Sequence, residues 1–260
     1  MTQDMIKIIP ILAFRDNYIW AIHDDKFVVV VDPGDAVPVI QYLNTNKLKL
    51  LAILVTHHHH DHIDGINDLV ELYNTPVYGP RRESIPHLAH PLGEGDVLKL
   101  AQLDLHFDIM DIPGHTLGHI AYLWEGGMFC GDTLFTCGCG KIFEGTSTQL
   151  YDSIKRLSNL PDHTMVYCTH EYTEFNTPFA QLCEPSNLKL KQRIVESELL
   201  RSQNLPTVPS TLLLEKETNP FLRCCEPEII QHIEQHIGRK LPTGDEQAAF
   251  TELRKWRDDC

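Results

Sequence analysis

The sequence predicts an α+β fold in which two β-sheets carry helices on their outer faces and a helical region follows towards the C-terminal end. The first two-thirds of the 260-residue chain alternate short β-rich runs with turn signals. The run LLAILV at residues 50–55 is almost wholly apolar, as expected of a strand buried on both faces, so helices must cover that sheet. Helical periodicity dominates after about residue 172. We therefore expect domains at residues 1–172 and 173–260.

Strands are predicted where β-branched and aromatic residues cluster between turn signals formed by Gly, Pro, Asp and Asn. These runs are residues 6–12, 18–23, 27–31, 50–55, 76–79, 97–100, 103–109, 120–124, 128–131 and 165–168. Helices are predicted where apolar residues recur at three- and four-residue spacing, as at positions 63, 66, 69, 70 and 73. These segments are residues 37–43, 63–73, 149–160, 179–183, 188–202, 228–236 and 247–256.

The composition argues against several classes of protein. The formal net charge is −14, so the chain lacks the broad positive surface that binding to nucleic acid or to a membrane surface requires. No run is long enough to span a bilayer, and the apolar run at residues 6–14 carries Pro10 and lacks a basic leader, so we expect no secretory signal. The eight cysteines then indicate free thiols in a reducing cytoplasm. Nothing in the chain demands an obligate dimer, and we expect a cytoplasmic monomer.

The most informative segment is THHHHDH at residues 56–62, which directly follows the predicted strand at residues 50–55. It contains four potential metal ligands, namely His57, His59, Asp61 and His62. Imidazole and carboxylate groups together suit zinc, iron or manganese. The alternative is a polar loop that is rich in histidine by chance. His58 and His60 lie between the ligands, and we expect both side chains to point elsewhere.

Three later loops supply further ligand candidates at the ends of predicted strands. They are PGHTLGH at residues 113–119, GDT at residues 131–133 and THE at residues 169–171. One ligand from each loop adds His115, Asp132 and His170 and brings the total to seven. A structural zinc site needs four ligands, so seven fit two ions that share a bridging carboxylate, for which Asp132 is the natural choice. Two such ions support hydrolysis without redox chemistry. We expect His119 to orient a ligand or to pack.

These segments resemble the metallo-β-lactamase superfamily and, within it, the glyoxalase II or hydroxyacylglutathione hydrolase family. The HxHxDH motif is specific only to the superfamily. The narrower resemblance depends on GDTLF at residues 131–135 with CGCGKIFEGT at residues 137–146, on THEYT at residues 169–173 and on TNPFLR at residues 218–223. It extends over nearly the whole chain. It implies a four-layer αββα sandwich followed by a C-terminal helical domain that binds substrate.

The resemblance also implies how the ligands divide between two divalent ions, with zinc as the expected metal and iron or manganese as alternatives. The first site takes His57, His59 and His115, the second takes Asp61, His62 and His170, and Asp132 bridges them. Asp61 and Asp132 are the catalytic candidates, because Asp61 can orient the attacking water while it binds metal and Asp132 holds both ions.

For the substrate, the resemblance implies that the glutathione part lies against Lys141, Tyr172, Arg254 and Arg257. The two arginines are three residues apart on a predicted helix and share one face, and guanidinium groups bind the carboxylates of glutathione well. The alternative for these arginines is a solvated helix face. Phe143 stands where many members of the family have Tyr, so its ring can pack but a hydroxyl contact is lost. Arg257 stands where Lys is common.

The implied reaction is the hydrolysis of S-(2-hydroxyacyl)glutathione thioesters, with S-D-lactoylglutathione giving D-lactate and glutathione in the second step of methylglyoxal detoxification. A lactamase is disfavoured by the C-terminal helical region, and an RNA-processing nuclease by the acidic chain. A mononuclear iron sulfur dioxygenase would keep only part of the ligand set, and the ligand count argues against a mere metal- or glutathione-binding module. The pair Cys137 and Cys139 is expected to form part of a tight Gly-rich loop, with a metal or redox pair as the alternative.

Overall fold

The structure, a computed structural model, describes residues 6–260 and divides into two compact units. Unit 1 comprises the chain up to Asp111 together with Leu117–Gly131, and unit 2 comprises Ile112–Thr116 and Asp132–Cys260. This division follows the packing of the backbone, and the domain boundary predicted at residue 172 stays a prediction. Within the described residues, no helix combines the length and the apolar character needed to cross a bilayer.

The first sheet of unit 1 is mixed and has six strands. In both chain order and sheet order they are β1 (Lys7–Ala13), β2 (Asn17–His23), β3 (Phe27–Val31), β4 (Lys49–Leu54), β5 (Val77–Pro80) and β6 (Leu88–Leu92). The pairs from β1 to β3 are antiparallel, and those from β3 to β6 are parallel. Because β3 and β4 run parallel, their carboxyl ends lie at the same edge, where Asp32 and the histidine-rich loop follow.

The second sheet of unit 1 is an antiparallel meander. Its strands are β7 (Val97–Leu100), β8 (Leu105–Asp111), β9 (Ile120–Trp124) and β10 (Gly127–Gly131). Buried and exposed side chains alternate along β7 and along most of β8, as expected of strands with one face in a core. A short 3-10 turn at Ala101–Leu103 precedes β8, so the strand predicted at residues 103–109 begins two residues later.

Helices α1 (Ala36–Asn46), α2 (His60–Ile63) and α3 (Ile66–Tyr73) complete unit 1. Val39, Leu43 and Leu69 of α1 and α3 lie in one apolar core with the strands of the first sheet. The helix predicted at residues 63–73 is present, but it begins at Ile66, because the chain breaks between α2 and α3. The Gly65 N–H donates to the carbonyl oxygen of Pro33 at 3.0 Å rather than to its own helix. A Cβ at this glycine would lie 2.6 Å from that oxygen, so the break depends on a close backbone approach.

Unit 2 is mainly helical. It contains two small antiparallel pairs, β11 (Leu134–Phe135) with β12 (Gly138–Cys139) and β13 (Met165–Cys168) with β14 (Ser210–Thr211). Its helices are α4 (Ser147–Ser158), α5 (Thr173–Cys183), α6 (Leu188–Ser202), α7 (Leu212–Thr218), α8 (Pro227–Ile237) and α9 (Glu246–Asp259). Helix α4 begins with a capping box between Thr146 and Gln149. Its buried Leu150 and Ile154 share a core with Phe250 of α9.

Several elements of the structure differ from the prediction. Strand β6 and helix α7 were not predicted, nor were β11, β12 and β14, because short segments carry too little periodicity to stand out. The helix predicted at residues 179–183 is wrong in its start, since α5 begins at Thr173 and continues through Pro178. A proline inside a helix removes one backbone hydrogen bond, which made the start appear later than it is.

Candidate metal and substrate sites

The histidine-rich loop after β4 is anchored by a buried carboxylate of the neighbouring strand end. Asp32 follows β3 and accepts hydrogen bonds from the backbone N–H and the hydroxyl of Thr56, both at 2.7 Å. Because the Thr56 hydroxyl donates to Asp32, it accepts from Nδ1 of His57 at 3.1 Å. The tautomer assigned from these bonds leaves Nε2 of His57 unprotonated, which is the form that binds a metal.

The remaining motif residues in unit 1 lie close to His57. Its ring centroid is 4.7 Å from that of His59 and 4.0 Å from that of His62. Nδ1 of His62 lies 3.1 Å from Oδ2 of Asp32, and Nε2 of His62 lies 3.5 Å from Oδ2 of Asp61. Unit 1 therefore brings the four predicted ligands of the motif together.

Two further contacts hold this group in place. The side-chain amide of Asn17 donates to Oδ2 of Asp61 at 2.9 Å, which fixes the carboxylate. The ring of His119 stacks on that of His57 with centroids 4.6 Å apart, while its Nδ1 bonds to the carbonyl oxygen of Ile120. His119 thus packs against a predicted ligand and shapes its position.

The two histidines between the ligands have other partners within unit 1. Nδ1 of His58 lies 3.0 Å from Oε2 of Glu83, whose other oxygen accepts from the backbone N–H of Gly118. Nδ1 of His60 lies 3.0 Å from Oδ1 of Asp64, one helical turn further along the chain. These contacts agree with the expectation that neither His58 nor His60 belongs to the ligand set.

Unit 2 brings the other three predicted ligands together around one oxygen atom. Nε2 of His115 lies 3.5 Å from Oδ2 of Asp132, and Nε2 of His170 lies 3.4 Å from the same atom. Nδ1 of His115 donates to the carbonyl oxygen of Lys141 at 2.7 Å, so its Nε2 carries the lone pair. All three side chains are buried. Within unit 2, two imidazole nitrogens therefore face one carboxylate oxygen.

The contact between His115 and Lys141 depends on a glycine. The Gly140 N–H donates to the carbonyl oxygen of Thr133 at 3.1 Å, and a Cβ at this position would lie 1.9 Å from the carbonyl oxygen of Asp132. No larger residue fits there without a shift of the backbone. Gly140 thus lets the loop that carries Lys141 approach the chain at Asp132.

The donor sets in both units fit divalent metal ions. They consist of imidazole nitrogens and carboxylate oxygens. Hydrogen bonds at Nδ1 orient His57 and His115 for ligation through Nε2, and the carboxylate of Asp32 lies 3.1 Å from Nδ1 of His62. Nitrogen and oxygen donors of this kind accept zinc, iron and manganese alike, so the donor chemistry does not choose among them.

Three of the predicted substrate residues lie beside the ligands of unit 2. The ring of Tyr172 stacks on that of His170, with centroids 4.6 Å apart and planes 6° from parallel. The ring of Phe143 meets that of His115 edge-on at 5.2 Å and is 62% exposed. The Nζ of Lys141 lies 5.8 Å from the centroid of the Phe143 ring.

The two arginines of α9 differ in their surroundings. Arg254 is buried and donates to the carbonyl oxygen of Cys139 at 3.1 Å and to Asp258 at 3.0 Å, so it is not part of a solvated helix face. Arg257 is half-buried beside the rings of Phe175 and Phe179. Burial lowers the pKa of Arg257, and the neighbouring Arg254 cation lowers it further. Neither Arg257 nor Lys141 forms an ion pair within residues 6–260, whereas Arg254 pairs with Asp258.

The cysteine pair lies on the hairpin formed by β11 and β12. Cys137 occupies the turn with φ of 53°, and Cys139 ends β12. Both thiols are buried, and burial raises the pKa of each to about 11. They are therefore protonated at neutral pH, which favours the predicted tight loop over a reactive or metal-binding pair.

Two groups that organise the site were not predicted from the sequence. Asp32 appeared only as a turn residue in DPGD at residues 32–35, although an acidic residue directly after a buried strand is a usable signal. Glu215 gave no signal at all. It is fully buried and accepts from the backbone N–H of Cys137 at 3.1 Å, so it supports the hairpin between Asp132 and Lys141.

Comparisons with known proteins extend over both units. Residues 13–170 match the family model described as "Metallo-beta-lactamase superfamily", and residues 171–260 match "Hydroxyacylglutathione hydrolase C-terminus". A hydroxyacylglutathione hydrolase from Nitrosomonas europaea is 51% identical over 255 residues, which cover 98% of this chain and 97% of the relative.

Two solved structures share the fold at 25% sequence identity. ETHE1 from Myxococcus xanthus superposes with a TM-score of 0.64 over 95% of this chain and 96% of its own. TTHA1623, solved in a di-iron-bound form, gives a TM-score of 0.58 over 83% of this chain and 100% of its own. These similarities confirm the predicted α+β fold with its C-terminal helical region.

Proposed function

The chain belongs to the hydroxyacylglutathione hydrolase family of the metallo-β-lactamase superfamily, and we propose that it hydrolyses S-(2-hydroxyacyl)glutathione thioesters. It is a metal-dependent hydrolase, and S-D-lactoylglutathione is the substrate that we assign to it. The products are D-lactate and glutathione, as in the second step of methylglyoxal detoxification. The match covers nearly the whole chain, including the C-terminal region by which this family differs from the superfamily at large.

The observation that carries the proposal is the stack of Tyr172 on His170. Tyr172 is a predicted glutathione contact and His170 is a predicted metal ligand. Their ring centroids lie 4.6 Å apart within unit 2. A thioester whose glutathione part contacts Tyr172 would therefore have its carbonyl carbon close to the ligand group of unit 2. A substrate without a glutathione-like portion would leave that contact unused.

We assign two divalent ions to the seven predicted ligands, with zinc as the expected metal. The position of Oδ2 of Asp132 between two imidazole nitrogens supports its role as the shared ligand. TTHA1623, which shares the fold, was solved with two irons, so iron is the first alternative. Bound divalent ions supply a Lewis acid for the carbonyl oxygen and make hydroxide available at neutral pH.

The residues of the chain orient the reactants. Asp61 is held by the amide of Asn17 and would direct the attacking water while it binds metal. Lys141 and Arg257 carry positive charges without ion pairs within the described residues, so both are available to the carboxylates of glutathione. The leaving group is a thiol with an ordinary pKa of about 8.5, so its departure needs no strong general acid.

The substrate residues and the setting of the enzyme complete the proposal. Residues 173–260 form the substrate-binding domain, in which Arg254 supports the loop before Lys141 from its buried position. The enzyme works in the cytoplasm as a monomer, with neither a nucleic-acid nor a membrane partner. A net charge of −14 and eight cysteines without a disulfide support this setting.

Loss of the thioester absorbance of S-D-lactoylglutathione tests the function. Metal-replete protein is compared with chelator-treated protein and with treated protein given back its metal. Rapid hydrolysis that the chelator abolishes and the metal restores is the expected result. A thioester of N-acetylcysteamine, which lacks the glutathione carboxylates, should react far more slowly. Metal-replete protein that leaves S-D-lactoylglutathione intact would contradict the proposal, and oxygen uptake with glutathione persulfide would then indicate a sulfur dioxygenase.

A further inference from the structure

Two aromatic rings flank a half-buried cation of unit 2. The guanidinium carbon of Arg257 lies 4.3 Å from the ring centroid of Phe175 and 5.5 Å from that of Phe179. Its Nη2 donates to the backbone carbonyl oxygen of Phe175 at 3.3 Å. No ion pair of Arg257 occurs within residues 6–260. The cation is thus partly removed from water and held in place, while its charge is left for an external anion.

The two aromatic rings beside Arg257 have different roles. Phe179 is 5% exposed and packs against Phe221 and Trp256 in the core of unit 2. Phe175 lies one helical turn earlier on α5 and is 66% exposed. A large aromatic side chain gains little stability in that position. The Phe175 ring contacts Arg257 and lies near Tyr172, whose ring centroid is 6.1 Å away.

We propose that Phe175 is a positioning residue for substrate binding, because its ring and its carbonyl oxygen orient the Arg257 guanidinium towards a carboxylate of the glutathione part. This inference rests on the proposed function. A guanidinium stacked on a ring keeps its N–H donors in its own plane, where a carboxylate can accept two of them. Because the side chain is ordered before the substrate arrives, less conformational entropy is lost on binding.

The stack also accounts for the arginine at this position. An ammonium group is not planar and cannot stack on a ring. Phe175 would therefore orient a lysine at this position less well than it orients an arginine. Phe175 and Arg257 therefore act as a pair.

The experiment compares Phe175→Leu with Phe175→Tyr. Leucine keeps an apolar side chain but removes the ring, whereas tyrosine keeps the ring. We expect KM for S-D-lactoylglutathione to rise about threefold to tenfold in Phe175→Leu with kcat unchanged, which is the range of a partly desolvated cation–π contact. Phe175→Tyr should stay near the wild-type KM. Leu182→Ala, an exposed change on the same helix, serves as the matched control and should leave KM unchanged.

A double-mutant cycle with Arg257→Lys tests whether Phe175 acts by orienting the guanidinium of Arg257 or by a contact of its own with the substrate. If Phe175 acts through the guanidinium, Phe175→Leu should change KM less than twofold once Arg257 is lysine. An equal rise of KM in both backgrounds would overturn the inference, as would a fall in kcat together with a lower melting temperature.

Calorimetric titration with reduced glutathione tests the inference without any turnover. Weaker binding by Phe175→Leu than by the wild type and Phe175→Tyr supports it, and equal binding by all three contradicts it. This result stands whatever the thioesterase assay returns. Failure of the proposed function, seen as no hydrolysis by the wild type, is therefore distinguishable from failure of the positioning role.

Discussion

Replacement of Glu215 by alanine should destabilise unit 2 more than any change to a surface ion pair. Glu215 is fully buried, and its carboxylate accepts from the guanidinium of Arg193 and from the hydroxyl of Ser210. It also accepts from the backbone N–H of Cys137 at 3.1 Å and from the amide of Asn219 at 3.2 Å. Burial alone would lower the pKa of Arg193, but the Glu215 carboxylate raises it overall. Without Glu215, a buried cation would have no charged partner.

The magnitude follows from this environment. Removal of one member of a buried ion pair typically costs about 3–5 kcal/mol, because the other charge stays buried without compensation. The side chains of Arg193 and Glu215 are 5% and 0% exposed, so solvent cannot substitute for the lost partner. Each orphaned hydrogen-bond donor, such as the N–H of Cys137, adds about 1–3 kcal/mol if nothing replaces its acceptor. We therefore expect a loss of at least about 3 kcal/mol in the free energy of unfolding.

Urea unfolding with linear extrapolation measures this loss. The matched control is Asp162→Ala, which removes the partner of Lys216, the residue next to Glu215 on α7. The side chains of that pair are 60% and 33% exposed, and such surface pairs contribute about 1 kcal/mol or less. If Glu215→Ala loses no more stability than Asp162→Ala, the reasoning about the buried pair is refuted. Since Glu215 supports the hairpin between Asp132 and Lys141, its loss should also lower thioesterase activity in protein that remains folded.

Three further predictions follow from the site. Asp132→Ala should lose bound metal and activity together, read by elemental analysis and by thioester loss, and full activity with one ion bound would contradict the bridging role. Phe143→Tyr should lower KM about twofold to tenfold if the added hydroxyl gains one hydrogen bond to glutathione, and an unchanged KM would contradict that contact. Burial raises the pKa of the Cys137 thiol to about 11, so a shift from pH 7 to pH 9 should leave it protonated and unlabelled. An alkylating reagent should modify only the exposed Cys225 and Cys260, and rapid labelling of more thiols, counted by mass spectrometry, would contradict their burial.

The candidate site could be predicted from the sequence where its chemistry is local. His57, His59, Asp61 and His62 lie within six residues of the chain, and donor spacing of that kind is visible without a fold. The later ligands were also visible, because each lies in a short polar break that follows a predicted strand. The assignment of particular ligands to particular ions came from the family resemblance alone and stays a prediction.

The groups that hold the ligands could not be predicted in the same way. Asp32 acts through a contact with Thr56, 24 positions further along the chain, and Glu215 through a contact with Cys137, 78 positions earlier. Such contacts depend on tertiary packing, so the periodic patterns of the sequence do not reveal them. The break at Gly65 escaped prediction for the same reason, since it arises from the approach of the backbone at Pro33. Phe175 was not singled out from the sequence, because its contact with Arg257 spans 82 positions.

The central claim is that the two ligand groups together hold two metal ions for thioester hydrolysis, and a metal titration tests it most directly. Metal-free protein is titrated with Zn²⁺ while the hydrolysis of S-D-lactoylglutathione is followed at each addition. Activity should rise to a plateau at two equivalents of metal per chain, with a distinct step between the first and the second. A plateau at one equivalent would contradict a dinuclear centre bridged by Asp132, and no activity at any metal content would contradict the assigned reaction.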